Sequence, residues 1–188
     1  MAKRNDKRAR LIDSADQLFH RQGVSNTTLA NIASLADVPL GNVYYYFKSK
    51  DSIIVAVIDR RRKLLHSMFD ELNALTDIKS RLTQFIAQAC SSAEIACEYG
   101  DALGSLCQEL GKMGGAISQT ASGLMQEIIQ WCKIQFRHLG KEEDIAANLA
   151  INLVASLQGI SLITLTFKDP LYVNQQTQFL ISNIENMS

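Results

Sequence analysis

The chain has 188 residues, of which 47% are hydrophobic and only 2 are proline, so a largely disordered chain is excluded and an all-β fold is disfavoured. Its formal net charge is zero, but residues 1–63 contain 12 Lys and Arg against 6 Asp and Glu, and residues 64–188 contain 7 against 13. A basic N-terminal segment before an acidic remainder predicts that the N-terminal segment binds a polyanion. The alternative is that lysine and arginine cluster by chance on a solvated face.

The first ten residues are rich in charge and no apolar run follows them, so we expect no signal peptide. The cysteines, at positions 90, 97, 107 and 132, form no CxxC pair, and no histidine stands at zinc-ligand spacing. We therefore expect a cytoplasmic protein with reduced thiols, no metal site and no cofactor.

Helical periodicity dominates the chain and predicts an all-α fold. A first helix carries an apolar stripe and ends at Gly23, and the segment up to Thr28 offers caps for a second helix. Pro39 suits the first turn of a short third helix, and Ser49 can cap a fourth that runs to about Leu75. Further helices are predicted at about 78–98, 102–112, 116–138, 142–167 and 171–186.

The second and third helices have the dimensions of a helix-turn-helix unit, whose second helix lies in the major groove of DNA. Val43 and Phe47 are four residues apart, so they share a face that should pack on Ile32, Ala33 and Leu18. The third helix then has an outer face formed by Leu40, Asn42, Tyr44, Tyr45 and Tyr46.

This outer face carries groups that suit DNA. Asn42 can read a base edge through two hydrogen bonds, and Leu40 can make only an apolar contact. Gly41 permits a close approach to the strand, while Lys48 and Lys50 can meet phosphates where the helix leaves the groove. An aromatic-rich helix can also be ordinary core, but three adjacent tyrosines cannot all face inward.

The stretch TTLANIASLADVPLGNVYYYFKSKDSI resembles the DNA-binding signature of the TetR family of transcriptional regulators, and the match covers about residues 6–60. The resemblance implies that Thr28, Lys50 and the tyrosines contact phosphates and that the bases are read around Pro39 to Tyr45. The predicted DNA-binding residues are thus Thr28, Pro39, Leu40, Gly41, Asn42, Tyr44, Tyr45, Tyr46, Lys48 and Lys50. Two positions depart from the family: Asp37 stands where glycine is usual, and Leu40 replaces a commonly polar or basic residue.

The resemblance also implies a helix-turn-helix DNA-binding domain at residues 1–50. An all-helical domain at residues 51–188 would then dimerise and hold a small molecule. Candidates for the wall of that pocket, each of which can instead be ordinary core, are Phe85, Tyr99, Leu103, Cys107, Met125, Ile128 and Trp131, with Leu124 and Cys132 beside them.

Residues 145–167 carry no charge and are long enough to span a bilayer. Polar residues such as Asn148, Asn152 and Gln158 favour instead a helix buried in a soluble assembly.

Ala155 and Gly159, one turn apart, would allow a partner helix to approach closely. A homodimer through helices 142–167 and 171–186 is expected, with Leu171, Val173, Phe179, Leu180 and Ile184 in the last helix. The alternative is a wholly intramolecular core.

These patterns favour a dimeric repressor that binds a palindromic operator in double-stranded DNA. An unidentified small molecule would release it from the DNA, and we expect no association with a membrane.

A redox-sensing regulator is the alternative. Cys90 and Cys97 would share a helical face but lie too far apart for a disulfide with each other, so oxidation would need Cys107 or Cys132 as the partner, or direct modification of a thiol. We do not expect an enzyme, because Cys107, Glu109 and His138 have no nucleophile-elbow or phosphate-loop spacing around them.

Overall fold

The computed structural model describes the backbone of residues 2–187 and the side chains of residues 6–187, so the first charged residues of the basic segment lie outside the described side chains. Within this range the chain forms α-helices and no strand, which confirms the predicted all-α fold. The helices are α1 (Ala2–Gln22), α2 (Leu29–Leu35), α3 (Leu40–Tyr46), α4 (Lys50–Asn73), α5 (Ile78–Ala89), α6 (Ala93–Tyr99), α7 (Ala102–Met113), α8 (Gly115–His138), α9 (Glu143–Phe167) and α10 (Pro170–Glu185).

Two predicted helix starts are confirmed by their capping bonds. The Ser49 hydroxyl oxygen accepts from the Ser52 amide at 3.3 Å before α4. The Asp169 carboxylate accepts from the Leu171 amide at 2.8 Å before α10, where Pro170 occupies the first turn. Proline fits there because the amide that it lacks would have no partner within the helix.

The prediction of one helix over 78–98 is wrong. The chain breaks after Ala89, and Ser92 caps a separate α6 by accepting from the Ile95 amide at 3.4 Å. Serine competes with the helix by bonding to nearby backbone, so it favours a new start over continuation. Cys90 follows α5 and Cys97 lies in α6, so the two thiols do not share one helical face.

The described chain divides into two compact units, of which the first comprises residues 1–64 and 102–124 and the second residues 65–101 and 125–188. The division falls within α4 and within α8. The predicted functional boundary at residue 50 is a different kind of division and stays a prediction.

The core of the first unit is contributed by both of its segments. Leu11, Ala15 and Phe19 of α1 are buried together with Leu106 and Leu110 of α7. The cluster also includes Ile32 and Ala33 of α2, Val43 and Phe47 around α3, Ile53, Ile54, Val57 and Ile58 of α4, and Ala121 and Leu124 of α8. The first three helices are therefore packed in one cluster with residues from much later in the chain.

A buried ion pair joins α1 to α4 in the first unit. The Arg61 guanidinium lies 2.5 Å from the Asp16 carboxylate, and both side chains are largely buried. Arg60 extends the network, at 3.3 Å from Asp16 and 2.6 Å from Asp13. Because a buried arginine needs a carboxylate beside it, this network fixes how the two helices lie against each other.

In the second unit, α9 has two different faces. Ala146, Ala150, Leu153, Leu157 and Ile160 are buried on one side. The other side exposes an apolar stripe formed by Ile151, Ala155, Leu162, Ile163 and Phe167. A Cβ at Gly159, on the same side, would meet no atom within 4 Å. The chain thus buries only half of this helix, and the remaining stripe is available to a partner.

α10 packs one face within the unit as well. Val173 and Ile184 are buried, so the prediction that they reach a partner is wrong: their side of α10 serves the chain's own core. Leu171 and Phe179 are exposed as expected.

Among the described residues, α9 is the one helix long and apolar enough to cross a membrane, and 33% of its most apolar window is buried inside the protein.

Candidate nucleic-acid interface

The turn between α2 and α3 is built around a left-handed residue. Asp37 has φ of 51°, and its amide donates to the Ser34 carbonyl while the Val38 amide donates to the Ala33 carbonyl at 3.0 Å. These two bonds end α2 with a Schellman motif, in which glycine is the usual left-handed residue. Asp37 therefore occupies the left-handed position at which glycine is usual. Aspartate is among the residues that tolerate this conformation.

The inner face of α3 lies where the sequence predicts. Val43 and Phe47 are buried in the same cluster as Ile32 and Ala33, and Leu18 packs against that cluster from its edge. Phe47 also has the Arg8 guanidinium 5.2 Å from its ring centroid. The third helix is thus held mainly by these inner side chains, to which Tyr46 adds a contact with the core from the flank.

The outer face of α3 is exposed apolar and aromatic surface. Leu40 is 42% exposed, Tyr44 50% and Tyr45 59%. Gly41 and Asn42 are exposed as well, and a Cβ at Gly41 would meet nothing within 4 Å. Exposing three large side chains with apolar surface costs free energy in water. Covering this face with a binding partner would recover that free energy.

Tyr46 differs from its two neighbours. It is half-buried and packs against the core of the first unit, with its ring edge-on to that of Tyr45 at a centroid distance of 5.1 Å. Edge-on packing of this kind holds the exposed ring of Tyr45 in place. Of the three tyrosines, Tyr44 and Tyr45 therefore present the larger surface.

The remaining predicted residues flank this face. Pro39 and Lys48 are exposed, and Lys50, in the first turn of α4, is half-buried. Thr28 is exposed at the start of α2 and its hydroxyl is engaged in a capping box with Asn31: the hydroxyl oxygen accepts from the Asn31 amide at 3.1 Å, and the Asn31 side chain accepts from the Thr28 amide at 2.9 Å.

Sequence reasoning missed Asn31 as the second half of this box. The usual signature places Glu or Gln three residues after the capping threonine, and asparagine stands there instead. The sequence offers one signal of this box. Thr28 is followed three residues later by a side chain that can accept a hydrogen bond.

The predicted pocket residues are brought together only in part. Phe85 and Trp131 of the second unit are in ring contact at 5.3 Å, and Trp131 stacks on Phe69 at 4.9 Å. The Trp131 indole donates to the Asn73 side chain at 3.1 Å. Ile128 is buried in this unit, while Tyr99 and Met125 are half-buried. Leu103 and Cys107 belong to the first unit, where they pack against its core.

The thiols lie in unreactive surroundings. Burial raises the pKa of the Cys132 thiol to about 12. Burial also raises the pKa of Cys90, with Thr177 opposing the shift and Asp101 adding to it. The Cys107 thiol donates to the Ala121 carbonyl at 3.3 Å. Because the thiolate is the reactive form, Cys90 and Cys132 are poor nucleophiles at neutral pH.

Residues 11–57, which include α2 and α3, match the family model described as bacterial regulatory proteins, tetR family. The HTH-type transcriptional regulator TtgR of Pseudomonas putida is 29% identical over 116 residues, covering 50% of this chain and 55% of that protein. The HTH-type transcriptional repressor NemR of Escherichia coli is 27% identical over 108 residues, covering 56% of this chain and 53% of that protein. The chain therefore matches about half the length of these curated relatives.

The fold extends further than the sequence match. The crystal structure of a TetR transcriptional regulator from Chloroflexus aurantiacus superposes with a TM-score of 0.86, at 17% identity, covering 100% of this chain and 98% of that one. At this level of identity the likeness shows the fold alone, and it confirms an N-terminal helix-turn-helix followed by further helices.

Proposed function

Because the chain belongs to the TetR family of bacterial regulatory proteins, we propose that it is a dimeric transcriptional repressor that binds a palindromic DNA operator and is released by a small molecule. The relatives described above are transcriptional regulators by name. We accordingly propose no enzymatic activity, in agreement with the sequence-based prediction.

The observation that carries this proposal is the exposed outer face of α3. Leu40, Tyr44 and Tyr45 project from a helix whose opposite side is locked into the core by Val43 and Phe47. A short rigid helix with an exposed face suits insertion into the major groove, which is wide enough to admit one helix.

Each group on this face has a chemical role in the proposed complex. Asn42 reads a base edge through its amide, and Leu40 contacts a thymine methyl. Tyr44, Tyr45 and Lys48 bind the sugar-phosphate backbone, so affinity falls steeply with salt. Thr28 adds a phosphate contact from the start of α2 by turning toward the phosphate its hydroxyl, which in the free chain donates to the Asn31 side chain at 2.7 Å.

The apolar stripe of α9, with Leu171 and Phe179 of α10, supports the dimer. Two copies related by a two-fold axis would bury this stripe in a four-helix interface, with small Ala155 and Gly159 at the closest approach. A two-fold protein then matches an operator whose half-sites lie about one helical turn, or a multiple of it, apart. The same burial accounts for an apolar helix in a protein that we place in the cytoplasm and not in a membrane.

We further propose that an effector binds beside the aromatic cluster of Phe85 and Trp131 in the second unit. These two rings and Phe69 are buried and packed on one another, and the Asn73–Trp131 hydrogen bond supplies a polar group beside them, so a ligand that separates the rings would meet apolar and polar contacts together. Binding there would favour a state of the dimer whose α3 helices no longer match the half-site spacing.

Redox sensing remains the second candidate, and the environment of the thiols speaks against it. Two of the four cysteines have raised pKa values, and a sensor cysteine needs a lowered one. The separation of Cys90 and Cys97 into different helices removes their predicted shared face, and the candidate still needs Cys107 or Cys132 as a partner, or direct modification of a thiol.

The test is to incubate the full-length protein with sheared DNA of its source genome and to sequence the fragments that it retains. We expect enrichment of one or a few palindromic sites, abolished by Tyr45→Ala and by Asn42→Ala. The matched control is Gln130→Ala, which removes an exposed amide side chain from α8. Weak retention of all fragments, unchanged by either α3 variant, would contradict specific readout and leave only backbone binding.

A further inference from the structure

A carboxylate from α7 binds the turn that connects α1 to α2. Glu109 lies 84 and 85 residues after the two amides that it accepts from: Val24 donates to Oε2 at 2.7 Å and Ser25 donates to Oε1 at 2.6 Å. Both carboxylate oxygens are thus used on consecutive backbone N–H groups. Hydrogen bonds to an ionised acceptor are roughly twice as strong as neutral ones.

The turn is shaped to receive this carboxylate. Gly23 has φ of 84°, and a Cβ there would lie 3.0 Å from Glu109 Oε2. Glycine therefore suits the left-handed backbone, and a larger residue would also crowd the carboxylate. All three residues of the turn and Glu109 belong to the first unit.

Glu109 is ionised in this arrangement. Its partial burial opposes the charge and by itself raises the pKa, but the hydrogen bonds from Ser25 and Val24, with Lys50 nearby, outweigh burial and hold the pKa below its ordinary value. The position of the carboxylate is set by α7, whose Leu106 and Leu110 are buried in the core on either side of it.

Hydrogen bonds continue from the clamped turn to the start of α2. The buried Thr27 hydroxyl donates to the Gly23 carbonyl at 2.7 Å, and the Thr27 amide donates to the Val24 carbonyl at 3.1 Å. The next residue is Thr28, which caps α2 and lies in the proposed DNA interface. A rigid path of five residues therefore leads from the Glu109 carboxylate to a predicted phosphate contact.

We propose that Glu109 is a positioning residue for DNA binding: by clamping Val24 and Ser25 it fixes Thr28 and α2, and so makes the DNA-binding head depend on the placement of α7. The inference rests on the proposed function. It adds a specific coupling contact outside the helix-turn-helix, in a helix that the sequence placed in the pocket domain. A shift of α7 that withdrew the carboxylate would release the turn without changing α3 itself.

The experiment compares Glu109→Gln with the unchanged full-length chain in two measurements. Glutamine keeps the length of the side chain but places an N–H₂ group against one of the two donors. We expect amide hydrogen exchange of residues 24–28 to accelerate about tenfold or more, while the amides of residues 53–58 in α4 keep their protection. We also expect about tenfold weaker binding to the genomic fragment selected by the unchanged protein.

The affinity for random DNA of the same length is measured as a control, because partial unfolding of the variant would lower its affinity for any DNA. Loss of the Thr28 phosphate contact weakens binding to both DNAs, and the displacement of α2 adds a loss of base readout, so positioning predicts a larger loss on the selected fragment than on random DNA. Ser25→Ala, which removes only a hydroxyl beside the carboxylate, should give the same pattern with a smaller effect. Glu71→Gln, the same change at an exposed residue of α4, is the control and should have no effect.

Faster exchange with unaltered affinity for the selected fragment would overturn the inference, as would unaltered exchange. Equal losses on selected and random DNA would overturn it too, because they would show partial unfolding. If the unchanged chain selects no fragment, the proposed function fails and the inference falls with it. If the unchanged chain selects a fragment and Glu109→Gln binds it equally well, the inference alone fails.

Discussion

Asp37 pays a conformational cost to end α2. Its φ of 51° is the left-handed conformation that most residues avoid, and its side chain is 99% exposed, so the carboxylate has little to compensate it. The 3.9 Å approach of Arg10 is a surface ion pair of small value. The residue therefore keeps the turn in shape at the expense of stability.

We expect Asp37→Gly to increase the free energy of unfolding by about 1 kcal/mol, because glycine enters this conformation without strain. Asp37→Ala should instead decrease it, since alanine keeps the Cβ and loses the local polar side chain. Chemical denaturation of the purified variants measures both. A lower stability for the glycine variant would show that the ion pair with Arg10 outweighs the strain.

The cysteines lead to a second prediction at this scale. Because burial raises the pKa of Cys132 to about 12, a thiol-specific reagent at pH 7 should modify it only when the protein unfolds. Cys97, which is half-buried where Cys132 is buried, should react before it. Mass spectrometry of partly labelled protein gives the order, and early labelling of Cys132 would reopen the redox candidate.

At the scale of the helices, the pairing of α1 with α4 depends on one carboxylate. Replacing Asp16 by Asn leaves Arg61 buried without a counter-ion, so we expect the free energy of unfolding to fall by about 3 kcal/mol. Asp59→Asn, which breaks an exposed pair with Arg62 on the same helix, should cost less than about 0.5 kcal/mol. Equal losses in the two variants, measured by denaturant titration, would contradict this account.

Most helices of this fold, and the inner face of α3, follow from the local pattern of apolar residues and caps. The break between α5 and α6 was missed because apolar periodicity continues through it, although Ser92 carries a capping signal. The contact between Glu109 and the turn at Val24 could not be predicted at all. It joins residues 85 positions apart, and neither partner's local sequence distinguishes a clamp from a solvated glutamate.

For the whole molecule, the exposed stripe of α9 predicts the oligomeric state. Placing a charge at the N-terminal end of the stripe, as in Ile151→Asp, would bury an unpaired carboxylate in the proposed interface. We expect the dimer to dissociate about thirtyfold more readily, or further, by sedimentation equilibrium. Ile134→Asp, at an exposed isoleucine of α8 outside the stripe, should remain dimeric.

If Ile151→Asp stays dimeric, the interface lies elsewhere. If it becomes monomeric, it should also lose the selected DNA fragment, because one half-site offers too few contacts for tight binding. Its free energy of unfolding, extrapolated to low protein concentration, should fall by much less than the stability of the dimer, since Ile151 is 51% exposed within its own unit.

The core of the first unit combines side chains from residues 1–64 with side chains from residues 102–124. During synthesis this core is therefore complete only after residue 124 has been added. When residues 1–64 have left the ribosome, Leu106, Leu110, Ala121 and Leu124 have not yet been translated. For the seconds that this takes, the apolar faces of the nascent head lack their cover, and the turn at Val24 lacks its carboxylate. The emerging head therefore exposes this apolar surface until α7 and the start of α8 follow, and a chain that ends after residue 64 would lack part of the core that holds its helices together.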